Sequence, residues 1–174
     1  MNLIEENKPI DDRSEPLPGS LYLVGTPIGN LSDLSERAKS ILKNISLIAC
    51  EDTRRSGKLL KTINSKAPLI SYHKHNIKSR LPQILEILKK NGSIALITDA
   101  GMPGISDPGE ELVRSARSNN HKVICIPGPC AAITALVISG LPSQRFCFER
   151  FLPKKQSLRK KIINRISKEE RTTV

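Results

Sequence analysis

The sequence contains no tryptophan and only five aromatic residues, which limits the ligand surfaces it can build. Proteins that read single-stranded RNA on an aromatic sheet face need several exposed rings, so this class is disfavoured. No apolar stretch approaches the ~20 residues of a membrane-spanning helix, and we expect no membrane association. The first 18 residues carry five acids, two bases and no apolar run, so we expect no signal peptide.

Cysteine is sparse and shows no metal-binding pattern. The four cysteines are Cys50, Cys125, Cys130 and Cys147. They form no C-x-x-C pair and have no zinc-ligand spacing with the three histidines. We therefore predict reduced, largely buried thiols in a cytoplasmic protein, and no metal site.

Positive charge is abundant and unevenly spread. Lysine and arginine number 28 against 17 aspartates and glutamates, a formal net charge of +11. Residues 151–174 carry eight bases and two acids, a net +6, and the other 150 residues carry 20 and 15, a net +5. Such a segment suits a polyanion such as RNA. A solvated helix face or a frayed tail remains the alternative, because charge alone does not decide between them.

Apolar runs alternate with segments of helical periodicity from residue 20 to residue 126. The predicted strands are 20–25, 45–50, 68–73, 93–99 and 122–126. The predicted helices are 32–44 with Ser32 as N-cap, 53–63, a helix capped by Asn76 that runs to Lys90, and 110–119. Continuous apolar strands with long connections are typical of a parallel sheet covered on both faces, so the fold class is α/β.

Composition divides the chain into three parts. Residues 1–18 are polar and proline-containing, which predicts a disordered leader. Residues 19–126 form a complete N-terminal α/β domain. Residues 127–174 predict the start of a second domain, with an apolar helix at 131–139, a strand at 145–152 and a final basic helix.

Four loops rich in glycine, proline or acids follow predicted strands, at residues 25–30, 51–54, 99–109 and 127–132. Ligands of parallel sheets bind at the carboxyl ends of strands, so we predict one shared pocket there. Gly25-x-x-x-Gly29 matches neither the dinucleotide fingerprint nor a phosphate-binding P-loop. Glu51 and Asp52, about 20 residues later, favour an adenosine-type ligand, although they could instead cap the next helix.

Five collinear blocks carry a family resemblance over about residues 19–155. They are LYLVGTPIGNLSDLSERA, ACEDTRRSGKLL, LISYHKHN, ITDAGMPGISDPGEELV and IPGPCAAITALVISGLPSQRFCFERFLPKK. The chain resembles the ribosomal RNA small subunit methyltransferase I family, in the tetrapyrrole-methylase-like superfamily. It differs from that family's usual pattern at Met102, Cys130 and Arg150, where threonine, serine and glycine are usual. The second domain is predicted to be incomplete, as in a truncated product or fragment.

The resemblance implies S-adenosylmethionine as cofactor and 2′-O-methylation of a cytidine ribose in 16S rRNA, by a homodimer acting on the small ribosomal subunit. The implied cofactor-binding residues are Pro27, Ile28, Gly101, Met102, Ile105, Ala131 and Ala132. A neutral ribose hydroxyl needs a base, for which Glu51 and Asp99 are the candidates, with Asp107 a further possibility. The candidates to bind RNA phosphates are Arg54, Arg55, Lys154 and Lys155.

Other functions stay open at this point. A small-molecule methylase of the same superfamily is disfavoured by the net positive charge. A catalytically inactive RNA-binding remnant would keep the same first-domain motifs. A dinucleotide oxidoreductase is disfavoured by the missing glycine fingerprint.

Overall fold

The computed structural model describes residues 15–174, which divide into two compact units between Pro129 and Cys130 of the chain. Most of the predicted leader, residues 1–14, lies outside the described residues. Residues 15–18, the last part of the predicted leader, make defined contacts and so differ from the prediction of disorder. The nearly buried Glu15 carboxylate accepts two hydrogen bonds from the Arg37 guanidinium, and the Leu17 amide donates to the Tyr22 hydroxyl at 2.8 Å.

The first unit is a five-stranded parallel sheet with four helices. Its strands are β1 (Leu21–Val24), β2 (Leu47–Cys50), β3 (Leu69–Ser71), β4 (Ile94–Ile97) and β5 (Val123–Ile126). Its helices are α1 (Glu36–Asn44), α2 (Thr53–Thr62), α3 (Ile77–Lys89) and α4 (Glu110–Ser118). The strand order is β3-β2-β4-β1-β5 and every neighbouring pair is parallel. The predicted parallel α/β fold is confirmed.

Both faces of the sheet are buried, which explains the continuous apolar runs. Successive strand side chains point to opposite faces. One face, including Tyr22 and Ile48, packs against α1 and α2. The other, including Leu21 and Leu96, packs against α3 and α4. The carboxyl ends of the strands are thereby held at one edge of the sheet. At its margins β3 is only partly buried and Cys125 of β5 is exposed, so the prediction of a buried thiol is wrong for Cys125.

The start of α1 corrects one prediction. Residues Leu31–Asp33 form a short 3-10 turn, and α1 begins only at Glu36. Ser35 is the N-cap, and its hydroxyl accepts a hydrogen bond from the Ala38 amide at 3.1 Å. Ser32 as the cap was wrong, because it lies inside the 3-10 turn that Asn30 caps, and α1 starts four residues later.

The second unit contains α5 (Ala131–Ser139), β6 (Phe146–Cys147), α6 (Gln156–Ile166) and β7 (Thr172–Thr173). The predicted strand at 145–152 shortens to two residues, paired in parallel with the equally short β7. Arg150 has a positive φ of 63°, so the extended backbone cannot continue through it. Among the described residues, no helix combines the length and apolar character required to cross a bilayer.

Candidate active site

The loops after β1 and β4 are joined by backbone hydrogen bonds at the carboxyl edge of the sheet. The Thr26 amide donates to the Gly101 carbonyl at 2.9 Å, and the Gly101 amide donates back at 3.0 Å. The fully buried Thr26 hydroxyl donates to the Thr98 carbonyl at 3.1 Å. Gly101 lies beside Ile28, whose methyl group is 3.5 Å from where a Cβ on Gly101 would stand. The predicted residues Ile28 and Gly101 are therefore neighbours.

The loops after β1 and β5 touch through two glycines. A Cβ added to Gly128 would lie 2.7 Å from the Cα of Gly25. A Cβ added to Gly25 would lie 2.6 Å from both the Gly128 Cα and the Met102 sulfur. Only glycine permits this approach. The Met102 side chain thus reaches the place where the two loops meet.

The loop after β4 is fixed from within. The Thr98 hydroxyl donates to the Asp107 carboxylate at 2.8 Å. Ile105 projects from this loop and is 44% exposed. It borders an open cavity of about 410 Å³ together with Leu23, Gly104 and Glu110. Ile105, a predicted cofactor-binding residue, therefore borders a cavity at the edge of the sheet.

The two candidate bases follow adjacent strands. Cys50 of β2 pairs with Ile97 of β4, so Glu51 and Asp99 come just after paired residues. Desolvation raises the pKa of the Glu51 carboxyl, and the charges of Asp107 and Asp99 raise it further. A carboxylate with a raised pKa is the better proton acceptor.

Asp99 has one paired and one unpaired carboxylate oxygen. Its Oδ2 accepts a hydrogen bond from the Arg55 guanidinium at 3.2 Å. Its Oδ1 is buried and has no hydrogen-bond partner among the described residues. Buried polar atoms are normally satisfied, so this oxygen marks a position where a ligand donor would be stabilised.

Asp52 is the N-cap of α2, whereas Glu51 makes no capping contact. The Asp52 side chain accepts hydrogen bonds from the Arg54 amide at 2.8 Å and from its guanidinium. These contacts lower the pKa of Asp52 to about 2. The helix-capping alternative considered from the sequence therefore holds for Asp52, whereas Glu51 remains a candidate base.

The remaining predicted residues belong to the second unit. Ala131 is exposed and Ala132 is half-buried in the first turn of α5. Lys154 and Lys155 are exposed immediately before α6. Their proposed roles with cofactor and RNA stay predictions.

A sequence profile of the tetrapyrrole (corrin/porphyrin) methylases matches residues 20–174. The chain belongs to this family. The fold is also similar to that of uroporphyrin-III-C-methyltransferase from Thermus thermophilus, with a TM-score of 0.57, 20% identity, and coverage of 75% of this chain and 58% of that one. The family resemblance predicted from the sequence is confirmed.

Curated relatives share nearly half of their aligned residues with this chain, and two of them serve as examples. Ribosomal RNA small subunit methyltransferase I from Haemophilus influenzae is 49% identical over 158 residues, and the protein of that name from Escherichia coli O157:H7 is 47% identical over 156 residues. These alignments cover 91% and 90% of this chain but 56% and 54% of the relatives. The chain thus spans about half the length of the curated relatives it matches.

The first-unit loops of this family member fit the S-adenosylmethionine that the family implies. Ile28, 37% exposed, and Ile105 offer apolar surface to an adenine. The unpaired Asp99 Oδ1 offers an acceptor to a ligand N–H or O–H. The residues that would hold the cofactor are Pro27, Ile28, Gly101, Met102 and Ile105. Within residues 15–174, no cluster of three or more His, Cys, Asp or Glu side chains could bind a metal ion.

Sequence reasoning missed the residues that act through tertiary contacts. Thr26 was seen only as part of a loop, although its hydroxyl joins two loops. Leu31, Lys58 and Leu59 also border a cavity beside Asp99 and were not singled out. The available signal was weak: a threonine directly after a buried strand, and a basic helix without acids.

Proposed function

We propose that this chain carries out S-adenosylmethionine-dependent 2′-O-methylation of a cytidine ribose in 16S rRNA, in the cytoplasm. The observation that carries the proposal is identity of 47–49% over about 90% of the chain with relatives named for small-subunit rRNA methylation. The carboxyl-edge loops support it, because they carry Glu51, a candidate base with a raised pKa, at the same edge as the apolar residues suited to the cofactor.

In this proposal, bound S-adenosylmethionine supplies a methyl group activated toward an attacking oxygen. Glu51 accepts the proton of the ribose 2′-hydroxyl, which makes that oxygen nucleophilic, and its raised pKa favours this role. Asp99 orients a donor of the bound substrate or cofactor through Oδ1 while Oδ2 holds Arg55. The hydrogen-bonded β4 loop limits the motion of Asp99, which helps to align the reacting groups.

The partners follow from charge and exposure. Arg54, Arg55, Lys154 and Lys155 are exposed cations that suit RNA phosphates, and we assign them to binding of the small ribosomal subunit. Helix α5 is apolar yet leaves Val137 70% exposed and Ile138 80% exposed. Exposed apolar surface of this kind supports a protein interface, which fits the proposed homodimer.

The test combines cofactor binding with methyl transfer. Calorimetry of the 174-residue chain is expected to show micromolar binding of S-adenosylmethionine. Tritiated methyl groups are then expected to reach the 16S rRNA of undermethylated small subunits. Glu51→Gln should keep cofactor affinity and slow transfer by about 10²–10⁴-fold, the usual contribution of a general base. Glu86→Gln on α3, an exposed carboxylate elsewhere, is the matched control.

Two outcomes would contradict the proposal, and a third would correct only its mechanism. Cofactor binding without transfer to rRNA would leave an inactive RNA-binding remnant. Transfer to a tetrapyrrole in place of rRNA would assign a small-molecule methylase. Full activity in Glu51→Gln would remove Glu51 from the mechanism while leaving the overall reaction in place.

A further inference from the structure

Helix α2 presents four bases and no acid to solvent. Arg54, Arg55, Lys58 and Lys61 are all exposed. The two arginines contact carboxylates, whereas Lys58 and Lys61 have no acidic partner within 4 Å among the described residues. By contrast, Lys39 on α1 and Lys90, the C-cap of α3, are each paired with a glutamate of the same helix. Helix α2 therefore concentrates unneutralised positive charge on one surface.

A cavity of about 260 Å³ lies beside this helix, next to the candidate base Asp99. One part of its wall is apolar and is formed by Pro27, Leu31 and Leu59. Another part carries the cations of Arg55 and Lys58. The cavity thus combines an apolar wall, positive charge and a carboxylate.

We propose that this cavity binds one nucleotide of an RNA strand whose phosphodiester backbone lies along α2, with Lys58 and Lys61 as phosphate contacts. The inference rests on the proposed function and names the part of the chain that would hold the substrate strand.

Each part of the cavity matches a part of a nucleotide. The apolar wall, where Leu31 is 57% exposed, suits the face of a base. Arg55 and Lys58 suit a phosphate. The unpaired Asp99 Oδ1 suits a ribose hydroxyl or an exocyclic amine, which are the donors that a nucleotide offers.

Dimensions agree with this assignment. A volume of about 260 Å³ is near the lower end of the ~300–1,000 Å³ range of small-molecule sites, so the cavity has room for at most one nucleotide unit. Arg54 and Lys61 are seven residues apart, or about 10 Å along the helix axis. The basic surface therefore extends beyond the cavity, as contacts to successive phosphates require.

The test compares salt dependence between variants of the 174-residue chain. The probe is a fluorescein-labelled single-stranded RNA, titrated from 50 to 200 mM salt. Lys58→Gln/Lys61→Gln removes two phosphate contacts, and each contributes about 0.7 to the slope of log affinity against log salt. The slope should become shallower by about 1.4, so the variant should lose about sevenfold less affinity than wild type over this range.

Two further variants separate the contribution of the apolar wall to RNA binding from that of the charges. Leu31→Ala should weaken binding several-fold without changing the salt slope, because it removes apolar contact and no charge. Lys89→Gln/Lys122→Gln removes two exposed lysines outside α2 and should leave both affinity and slope as in wild type. Polyglutamate should compete poorly, since it offers charge without bases.

The outcomes distinguish this inference from the proposed function. Wild-type RNA binding with an unchanged slope in Lys58→Gln/Lys61→Gln overturns the inference alone, as does equal competition by polyglutamate, which would assign an acidic-protein surface. Absence of RNA binding by wild type overturns the inference, whereas methyl transfer to small subunits decides the proposed function independently. A shallower slope together with a selective effect of Leu31→Ala supports the nucleotide site.

Discussion

Replacing Gly128 by alanine tests whether the contact between the β1 and β5 loops is as close as the structure shows. The new Cβ would lie 2.7 Å from the Cα of Gly25 and 3.0 and 3.1 Å from its carbonyl carbon and oxygen. All three atoms are backbone, so no side-chain rotation relieves the contact. Favourable carbon–carbon separations begin near 3.5 Å, so the loops must separate by about 0.8 Å.

The expected cost is that of overpacking, about 1–3 kcal/mol in the free energy of unfolding. For a chain of this size, each kcal/mol corresponds to about 2–4 °C in Tm, so Gly128→Ala should lower Tm by about 2–12 °C. The displacement also moves the β1 loop that carries Ile28. Affinity for S-adenosylmethionine should therefore fall along with stability.

Gly57→Ala is the matched control, because Gly57 lies inside α2 with open space around it. A Cβ there would meet only the Leu69 side chain, at an ordinary 3.9 Å. Alanine in a helix interior should raise stability by about 0.5–1 kcal/mol. Circular dichroism during thermal and urea unfolding measures both variants, and calorimetry measures cofactor affinity. Wild-type stability and affinity in Gly128→Ala would refute the reasoning.

Three other substitutions test single contacts. Ser35→Ala should cost about 0.5–2 kcal/mol by removing the α1 cap, whereas Ser32→Ala should be neutral; urea unfolding compares them. Thr26→Val should cost about 1–3 kcal/mol in the same assay, because it leaves the buried Thr98 carbonyl without the hydroxyl donor. Burial raises the pKa of Tyr72 to about 12, so the folded state holds its phenol proton where the unfolded state loses it. Wild type should therefore lose on the order of 2 kcal/mol more than Tyr72→Phe as pH rises from 10 to 12; parallel pH profiles would contradict this.

The fold could be predicted because its signals are local and strong. Strand runs such as Ile94–Ile97 are apolar without alternation, since both faces of the sheet are covered. The connections between them are too long for hairpins, which leaves a parallel arrangement. Helix starts were less predictable, because Ser32 and Ser35 are both good N-caps. The choice between them depends on the turn that Asn30 closes.

A binding site at the carboxyl edge of the sheet could be predicted from the sequence, but the contacts between the loops there could not. Gly25 and Gly29 are equivalent in the sequence pattern, yet the structure gives them different roles. Gly25 permits contact with Gly128, whereas Gly29 has nothing within 4 Å of a Cβ and instead adopts a φ of 151°. Close approach is a property of two loops that are 100 residues apart, while a positive φ is a property of one residue. A sequence motif records both as glycine, and only the packed structure separates them.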